Sequence, residues 1–366
     1  MKFPPLEYIA WAKSLPPVEI NLARSGIDHC PPSLLGLKAS DLVTTLPVKY
    51  GYEPLREAIA ARYRVRGGQV FALSGGTSYA NWIACAAILD RTDRSAEVIV
   101  ERPTYEPLLR IPQALGHRIR RVDRRFEDDY AIDLDRFRSA VTAKTRLAIV
   151  TNLHNPSGAR IGVETLRAMA EVLDRVHAYL LVDEVYLECL FRQRAESCVH
   201  AGLNVVTTNS LTKAYGLDGL RAGWILGPLP LIQRAQHIND LMTNNSVAPG
   251  EQMALAAFRH HRAIDTRAHD LLDPNLERVR AFLAGEPRLK ARVPEGGNVL
   301  FPRLPAAVDS ERLTARLVKR YSTLIVPGRF FESPRHIRLS FGCKPSLLAR
   351  GLENISKALD DASSRS

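Results

Sequence analysis

At 366 residues the chain is too long for a small stapled module and long enough to bury a substantial core, with room for two domains or one large domain and an appendage. Hydrophobic residues make up 46% and charged residues 24%, which excludes a disordered chain and a membrane-embedded one. The net charge of +11 comes mostly from arginine and has no Lys/Arg run with interleaved aromatics beside it, so it implies a solvated basic surface with some arginines on anionic ligands rather than a nucleic-acid partner.

In chain order, MKFPPLEYIAWAKSLPP carries Pro and Glu and no sustained apolar run, so neither a signal peptide nor a membrane anchor is expected. Pro16–Pro17 and Pro31–Pro32 mark irregular chain. Strands are predicted at Val70–Leu73, Glu97–Val100, Leu147–Thr151, Tyr179–Val182, Val205–Thr208 and Ala222–Leu226, several of them near-continuous apolar runs suited to burial on both faces. Helical patterns alternate with them at Ala80–Leu89, Glu164–Arg175 and Leu231–Met242, so the middle of the chain is α/β with a mainly parallel sheet. The pairs Arg120–Arg121 and Arg124–Arg125 flank a short strand-like piece and are expected at the surface.

Past about residue 270 the pattern changes. A helix around Leu276–Leu283, an apolar run at Asn298–Phe301, β-type pieces at Thr323–Val326 and His336–Phe341, and a final helix predict a smaller α+β domain. The expected division is 1–40 joining the small domain, 41–270 as the large domain and 271–366 as the small C-terminal domain, with Ala362–Ser366 frayed. Five cysteines (Cys30, Cys85, Cys189, Cys198, Cys343), odd in number and never spaced C-x-x-C, argue against a disulfide framework and a zinc site and fit a reducing cytoplasm. No metal is expected.

Four polar motifs follow strand-like runs, where function gathers in parallel sheets. In NSLTKAYGLDGLRAGW, residues 209–224, Lys213 stands in a Ser-x-x-Lys frame and Arg221 follows eight residues later. The pair suits a phosphorylated aldehyde, the amine forming an imine and the guanidinium gripping phosphate, with the Ser210 hydroxyl as a further donor. In LLVDEVY, Asp183 directly after a buried strand needs a partner, and a protonated pyridine nitrogen is a suitable one; Tyr186 could reach a ring hydroxyl from the same edge. In TNLHNPSG, the turn holds Asn155, whose amide could donate to the same oxygen. In LSGGTSYANW, glycines run into a helix start at Thr77 and Ser78 that favours phosphate, although no Walker pattern is present. Each motif alone also has a bland reading: a surface lysine, a loop-capping aspartate, a turn, a helix start.

Together and in this order they resemble the class I/II aminotransferase family of fold-type I pyridoxal 5′-phosphate (PLP) enzymes, from about Asn21 to about Gly342. The resemblance implies a large α/β domain with a mainly parallel sheet between helices, plus a small α+β domain, and a cytoplasmic homodimer with shared active sites. It implies PLP held as a Schiff base on Lys213, Asp183 on the pyridine nitrogen, and Tyr186 and Asn155 on the ring oxygen. Gly76, Thr77, Ser78, Ser210 and Arg221 would form the phosphate cup, with Tyr105 stacked on the ring and Tyr50 reaching the neighbouring subunit's phosphate. Arg338, in HIRLSFG, would clamp the substrate carboxylate together with Asn155 and with Gly26 of the NLARSG segment. The sequence departs from the family's habit at Arg329, where a small residue is common, and in a compressed spacer around Tyr50.

The implied reaction is ping-pong transamination between an L-amino acid and a 2-oxo acid. The motifs leave open β-elimination of a C–S lyase type, an arginine-type cyclase or oxidase, and a histidinol-phosphate-type aminotransferase. A PLP-sensing regulator would append a DNA-binding helix-turn-helix, for which no N-terminal extension is seen. Arg24 and Arg329 could read an acidic side chain but are expected in solvent; His154 is expected in a loop, His260–His261 on a helix surface, and Trp82 and Trp224 in the core.

Overall fold

A computed structural model describes residues 3, 5–46, 50–90, 92–93, 95–190, 196–243 and 245–363. Seven strands form its main sheet: β1 (Val70–Ser74), β2 (Glu97–Arg102), β3 (Arg118–Asp123), β4 (Thr145–Thr151), β5 (Tyr179–Asp183), β6 (Val205–Ser210) and β7 (Ala222–Leu226). They lie in the order β1-β7-β6-β5-β4-β2-β3. Only β7 runs against its neighbours β1 and β6; the other pairs are parallel. The loops that leave β1, β4, β5 and β6 therefore open on one edge of the sheet, and the reversed β7 brings the residue before it, Arg221, to that same edge.

The central strands are apolar along their whole length and buried, because helices cover both faces. The helix Gly76–Leu89 is apolar nearly all round and lies against the sheet under the helix Leu229–Asp240. On the opposite face the helix Val163–Asp174 turns inward Leu166, Met169, Ala170 and Leu173, one stripe at helical spacing. Trp224 is core, packed on Tyr63 and Phe258 at 5.8 and 5.4 Å between ring centroids.

The strand β3 (RIRRVD) is an edge strand with a largely polar outer face, so its arginines lie within the strand rather than beside it. Arg124, expected at the surface, is instead fully enclosed. Its Nη1 donates to Glu101 Oε2 at 2.8 Å and its Nε to the Tyr130 carbonyl at 2.6 Å. A buried carboxylate at the end of β2 needs a counter-charge, and the guanidinium supplies it.

Beyond the sheet, the helix His261–Gly285 runs without a break across residues 270 and 271, longer than the Leu276–Leu283 stretch its apolar pattern marked. Ile20–Asn21 pairs in parallel with Thr323–Leu324. A second small sheet sets Ile337–Ser340 between Val326–Pro327 and Val299–Leu300, and Arg338 sits on its middle strand.

Candidate active site

The strand-end loops enclose a cavity of ≈ 230 Å³. At its β1 end the chain turns through Gly75 and Gly76, at φ +155° and +70°, into the helix Gly76–Leu89. Both glycine amides donate to the Arg221 carbonyl, at 2.6 and 2.7 Å, and Arg221 Nη2 donates to the Gly75 carbonyl at 2.6 Å. A Cβ on Gly76 would lie 2.8 Å from that Nη2, so only glycine lets the guanidinium settle against the helix start. Thr77, Ser78 and Arg221 line the cavity. Gly76 and Ser210 stand behind them: Ser210 is fully enclosed, and its Oγ accepts from Thr77 Oγ1 at 2.7 Å and from the Thr212 amide at 3.2 Å. A cation, a helix start and the hydroxyls of Thr77 and Ser78 make this end suited to an anion.

Across the floor, Asp183 ends β5 with both oxygens engaged. Oδ1 accepts from the Val185 amide at 3.0 Å and Oδ2 from Asn81 Nδ2 at 2.7 Å, while Thr208 Oγ1 donates to Asn81 Oδ1 at 2.5 Å. Burial pushes the Asp183 carboxyl up to about 6, against the pull of Asn81 and the Val185 amide. Tyr186 is buried, and among the described residues its hydroxyl has no close hydrogen-bond partner, the Ser25 hydroxyl being near enough to act on it. Burial also raises the Tyr186 and Tyr105 phenols above their ordinary range, so both are neutral donors at physiological pH.

Asn155 is held from behind by a buried chain: Arg124 on Glu101, Glu101 Oε1 accepting from Thr151 Oγ1 and from the Thr151 amide at 2.6 and 2.7 Å, and Thr151 Oγ1 accepting from the Asn155 amide at 3.0 Å. The Asn155 Oδ1 accepts from Arg338 Nη1 at 3.3 Å, which leaves its Nδ2 donor for a molecule in the cavity. His154 is fully buried: Nε2 donates to the Pro103 carbonyl at 2.9 Å and Nδ1 accepts from Ser157 Oγ at 2.6 Å. It is a neutral imidazole clamping the Asn155 loop to the loop that carries Tyr105, not a pocket group.

The third side holds Lys213, and a second cation, Arg338, stands behind the wall against Asn155. Lys213, half-buried, is lowered to about 8 by burial and then by Arg338; Nζ donates to Ser25 Oγ at 2.6 Å. Arg338 is 1% exposed. Its Nη2 donates to Tyr8 Oη at 2.7 Å and to the Ala23 carbonyl at 3.1 Å, it lies over the rings of Tyr8 and Phe331, and its Nε is buried without a partner. Among the described residues no carboxylate pairs with it. A buried guanidinium with an unmatched charge and a free donor is built to receive an anion.

Not every expected residue is in this constellation. Gly26 lines a neighbouring hollow of ≈ 190 Å³, and Ser25 takes the place on the cavity wall. Tyr50 is exposed, at φ +56°, off the cavity wall. Arg24 is exposed beside His29, and Arg329 is paired with Glu7 and Glu311 at the surface. Conversely, sequence reasoning passed over Asn81, Thr151, Ser25 and Tyr8. Asn81 had a signal, a polar residue inside an otherwise apolar buried helix (NWIACAAIL); the others reach the site only through tertiary packing.

Residues 35–355 match the family model of aminotransferase class I and II. The chain is 34% identical over 331 residues to capreomycidine synthase of Streptomyces vinaceus, covering 90% of this chain and 84% of that one. It is 27% identical over 308 residues to the arginine–pyruvate transaminase AruH of Pseudomonas aeruginosa, covering 81% and 78%. The solved structure of the PLP-dependent cyclase OrfR superposes with a TM-score of 0.88 at 27% identity, over 99% of this chain and 98% of that one.

Proposed function

The chain belongs to the class I and II aminotransferases, fold-type I enzymes whose cofactor is PLP, and on that premise we propose that it transfers the amino group of an L-amino acid to a 2-oxo acid. The observation that supports this reading best is the Lys213 amine on the cavity wall with the buried Arg338 guanidinium close by, bound to the cavity-lining Asn155 and acting on Lys213 through its charge. Enzymes of this family act on small amino acids and keto acids and are typically dimeric; we extend both properties to this chain.

The residues present fit the cofactor. Tyr186 Oη is a buried donor without a close partner, Asp183 is a buried acceptor, and a side chain on Gly76 would displace the guanidinium of Arg221. Arg221, Thr77 and Ser78 would hold the phosphate, Asp183 the ring nitrogen, Tyr186 and Asn155 the ring oxygen, with Tyr105 against the ring. Bound there, PLP supplies an aldehyde that condenses with amines and a protonated ring that stabilises the charge released at the α-carbon.

The chain's own residues do the rest. With its amine lowered to about 8, Lys213 gives up its proton far more readily than an ordinary lysine, so it can act as nucleophile and then hold the α-proton. Arg338 orients the α-carboxylate of donor and acceptor in turn, as a one-site ping-pong scheme requires. Among donors we favour a basic amino acid. The name of the arginine–pyruvate transaminase relative supports this, as does Asp218, whose negative charge reaches Lys213. A cytoplasmic location is part of the same proposal, supported by five free cysteines; no described helix is long and apolar enough to cross a membrane.

A second reading has a specific support. The 34% identity to capreomycidine synthase and the TM-score of 0.88 to a PLP-dependent cyclase support ring closure in place of amino transfer: the α-proton and a β-hydroxyl leave as water, and a side-chain nitrogen bonds to the β-carbon. Absorption spectra and products of the PLP-loaded protein decide. With L-arginine and pyruvate, transamination yields alanine and a 2-oxo acid in equal amounts. With an arginine hydroxylated on its β-carbon, a cyclised amino acid formed with loss of water and without alanine replaces the first reading by the second. A visible band that survives Lys213→Ala would sink both.

A further inference from the structure

The hydroxyl of Ser25 occupies a place that neither the motifs nor the family resemblance assigns. Among the described residues it is the sole hydrogen-bond partner of the Lys213 amine, at 2.6 Å. Its own backbone is fixed: the Ser25 carbonyl accepts from Asn298 Nδ2 at 3.3 Å, and the flanking chain is tied down by Ile27 N to the Lys213 carbonyl at 3.1 Å and by Asp28 N to the Gly342 carbonyl at 2.7 Å. Two residues earlier, the Ala23 carbonyl accepts from Arg338. Residues 23–28 thus form a strap that touches both cations of the site. The same hydroxyl lies near enough to Tyr186 to act against the burial that raises its phenol.

We propose that Ser25 is the positioning residue of the Lys213 amine, holding it and the proton it carries over the cavity whenever the amine is free. Lysine has a long flexible stem and three rotatable donors, and nothing else in hydrogen-bonding range restrains this one. An acceptor 2.6 Å away favours the protonated amine and confines its direction. The other charged groups that act on it are Arg338, Arg221, Asp218 and Asp183. The inference rests on the reading of Lys213 as the cofactor-bearing amine.

The test is competitive acetylation of the cofactor-free full chain across a pH series, read at Lys213 by peptide mass spectrometry with the exposed Lys13 and Lys357 as internal standards. Ser25→Ala should lower the Lys213 midpoint by about one pH unit, a tenfold change in proton affinity, and Ser25→Thr should restore it. In the PLP-loaded protein, Ser25→Ala should lower kcat about fivefold with the donor KM little changed and a larger isotope effect from α-deuterated donor. A Lys213 midpoint unmoved in Ser25→Ala, or a loss confined to KM, overturns the proposal. Failure of the underlying reading shows separately, as a visible band that persists in Lys213→Ala.

Discussion

Asp183 and Arg338 carry opposite electrostatic problems, and each makes a prediction. The Asp183 carboxyl is raised by burial to about 6 from an ordinary value of 3.8. The folded state therefore holds its proton more tightly than the unfolded chain. This contribution to stability is full below pH 3.8 and is lost as pH rises through about 6. Asp183→Asn keeps the shape, and the Asn81 amide can turn over to preserve both of its hydrogen bonds. Cofactor-free Asp183→Asn should thus be more stable than wild type at pH 7, by on the order of 2 kcal/mol, and equal to it near pH 4. Urea unfolding at the two pH values checks this, and an equal gain at both would refute the assignment. Arg338→Gln removes the unmatched charge and the fork of donors, so kcat/KM for the amino donor should fall by about 10²–10³-fold. Steady-state kinetics should find most of that in KM, with the visible band intact.

At the scale of elements, the site depends on how β2, β4 and the turn after β3 are joined. Glu101, Arg124 and Thr151 come from three separate stretches and meet with no solvent between them. Removing one charge leaves the other buried alone. Arg124→Met should therefore cost about 3–5 kcal/mol. Glu101→Gln keeps an acceptor for Thr151 while removing the stranded charge, so the double variant should be more stable than Arg124→Met alone. Denaturant midpoints of the four proteins in this cycle measure the coupling, and simple additivity would show that the pair is not a unit. Because Thr151 in turn holds the Asn155 amide, Arg124→Met should also weaken PLP binding.

At the scale of the whole molecule, the single chain leaves large apolar side chains in solvent. Leu241 and Met242 are 86% and 61% exposed where the chain leaves the helix Leu229–Asp240. Val247 is exposed too, and its amide donates to Ser74 beside the cavity at 3.0 Å. Tyr50 is exposed and off the cavity wall of its own chain. The dimer proposed above would account for both, a second copy covering these side chains and receiving Tyr50. Sedimentation should give a dimer at micromolar concentration. The double variant Leu241→Glu/Met242→Lys should be monomeric and should bind PLP more weakly, because Tyr50 would then be missing from each site. A monomeric wild type with full PLP affinity would exclude the shared site.

Much of this was legible in the residues themselves. Six strands of the main sheet were marked by β-type runs, several of them near-continuously apolar as burial on both faces requires, and Lys213, Asp183, Asn155 and Arg221 were marked by their motifs after those runs. Such signals are local: they depend on a strand's own period and on the rule that strand ends carry chemistry. Asn81 was passed over, although a polar residue inside an apolar helix was a signal that could have marked it. What only the tertiary structure decided are pairings between distant positions. Arg124 reads as surface because its neighbours are basic, and becomes core only when Glu101 is brought against it. Ser25 rather than Gly26 meets Lys213 because of how the strap is tied to Gly342 and Asn298. Hydrogen bonds and ion pairs act over about 3 Å in space, and no period in the chain records which residues will come that close.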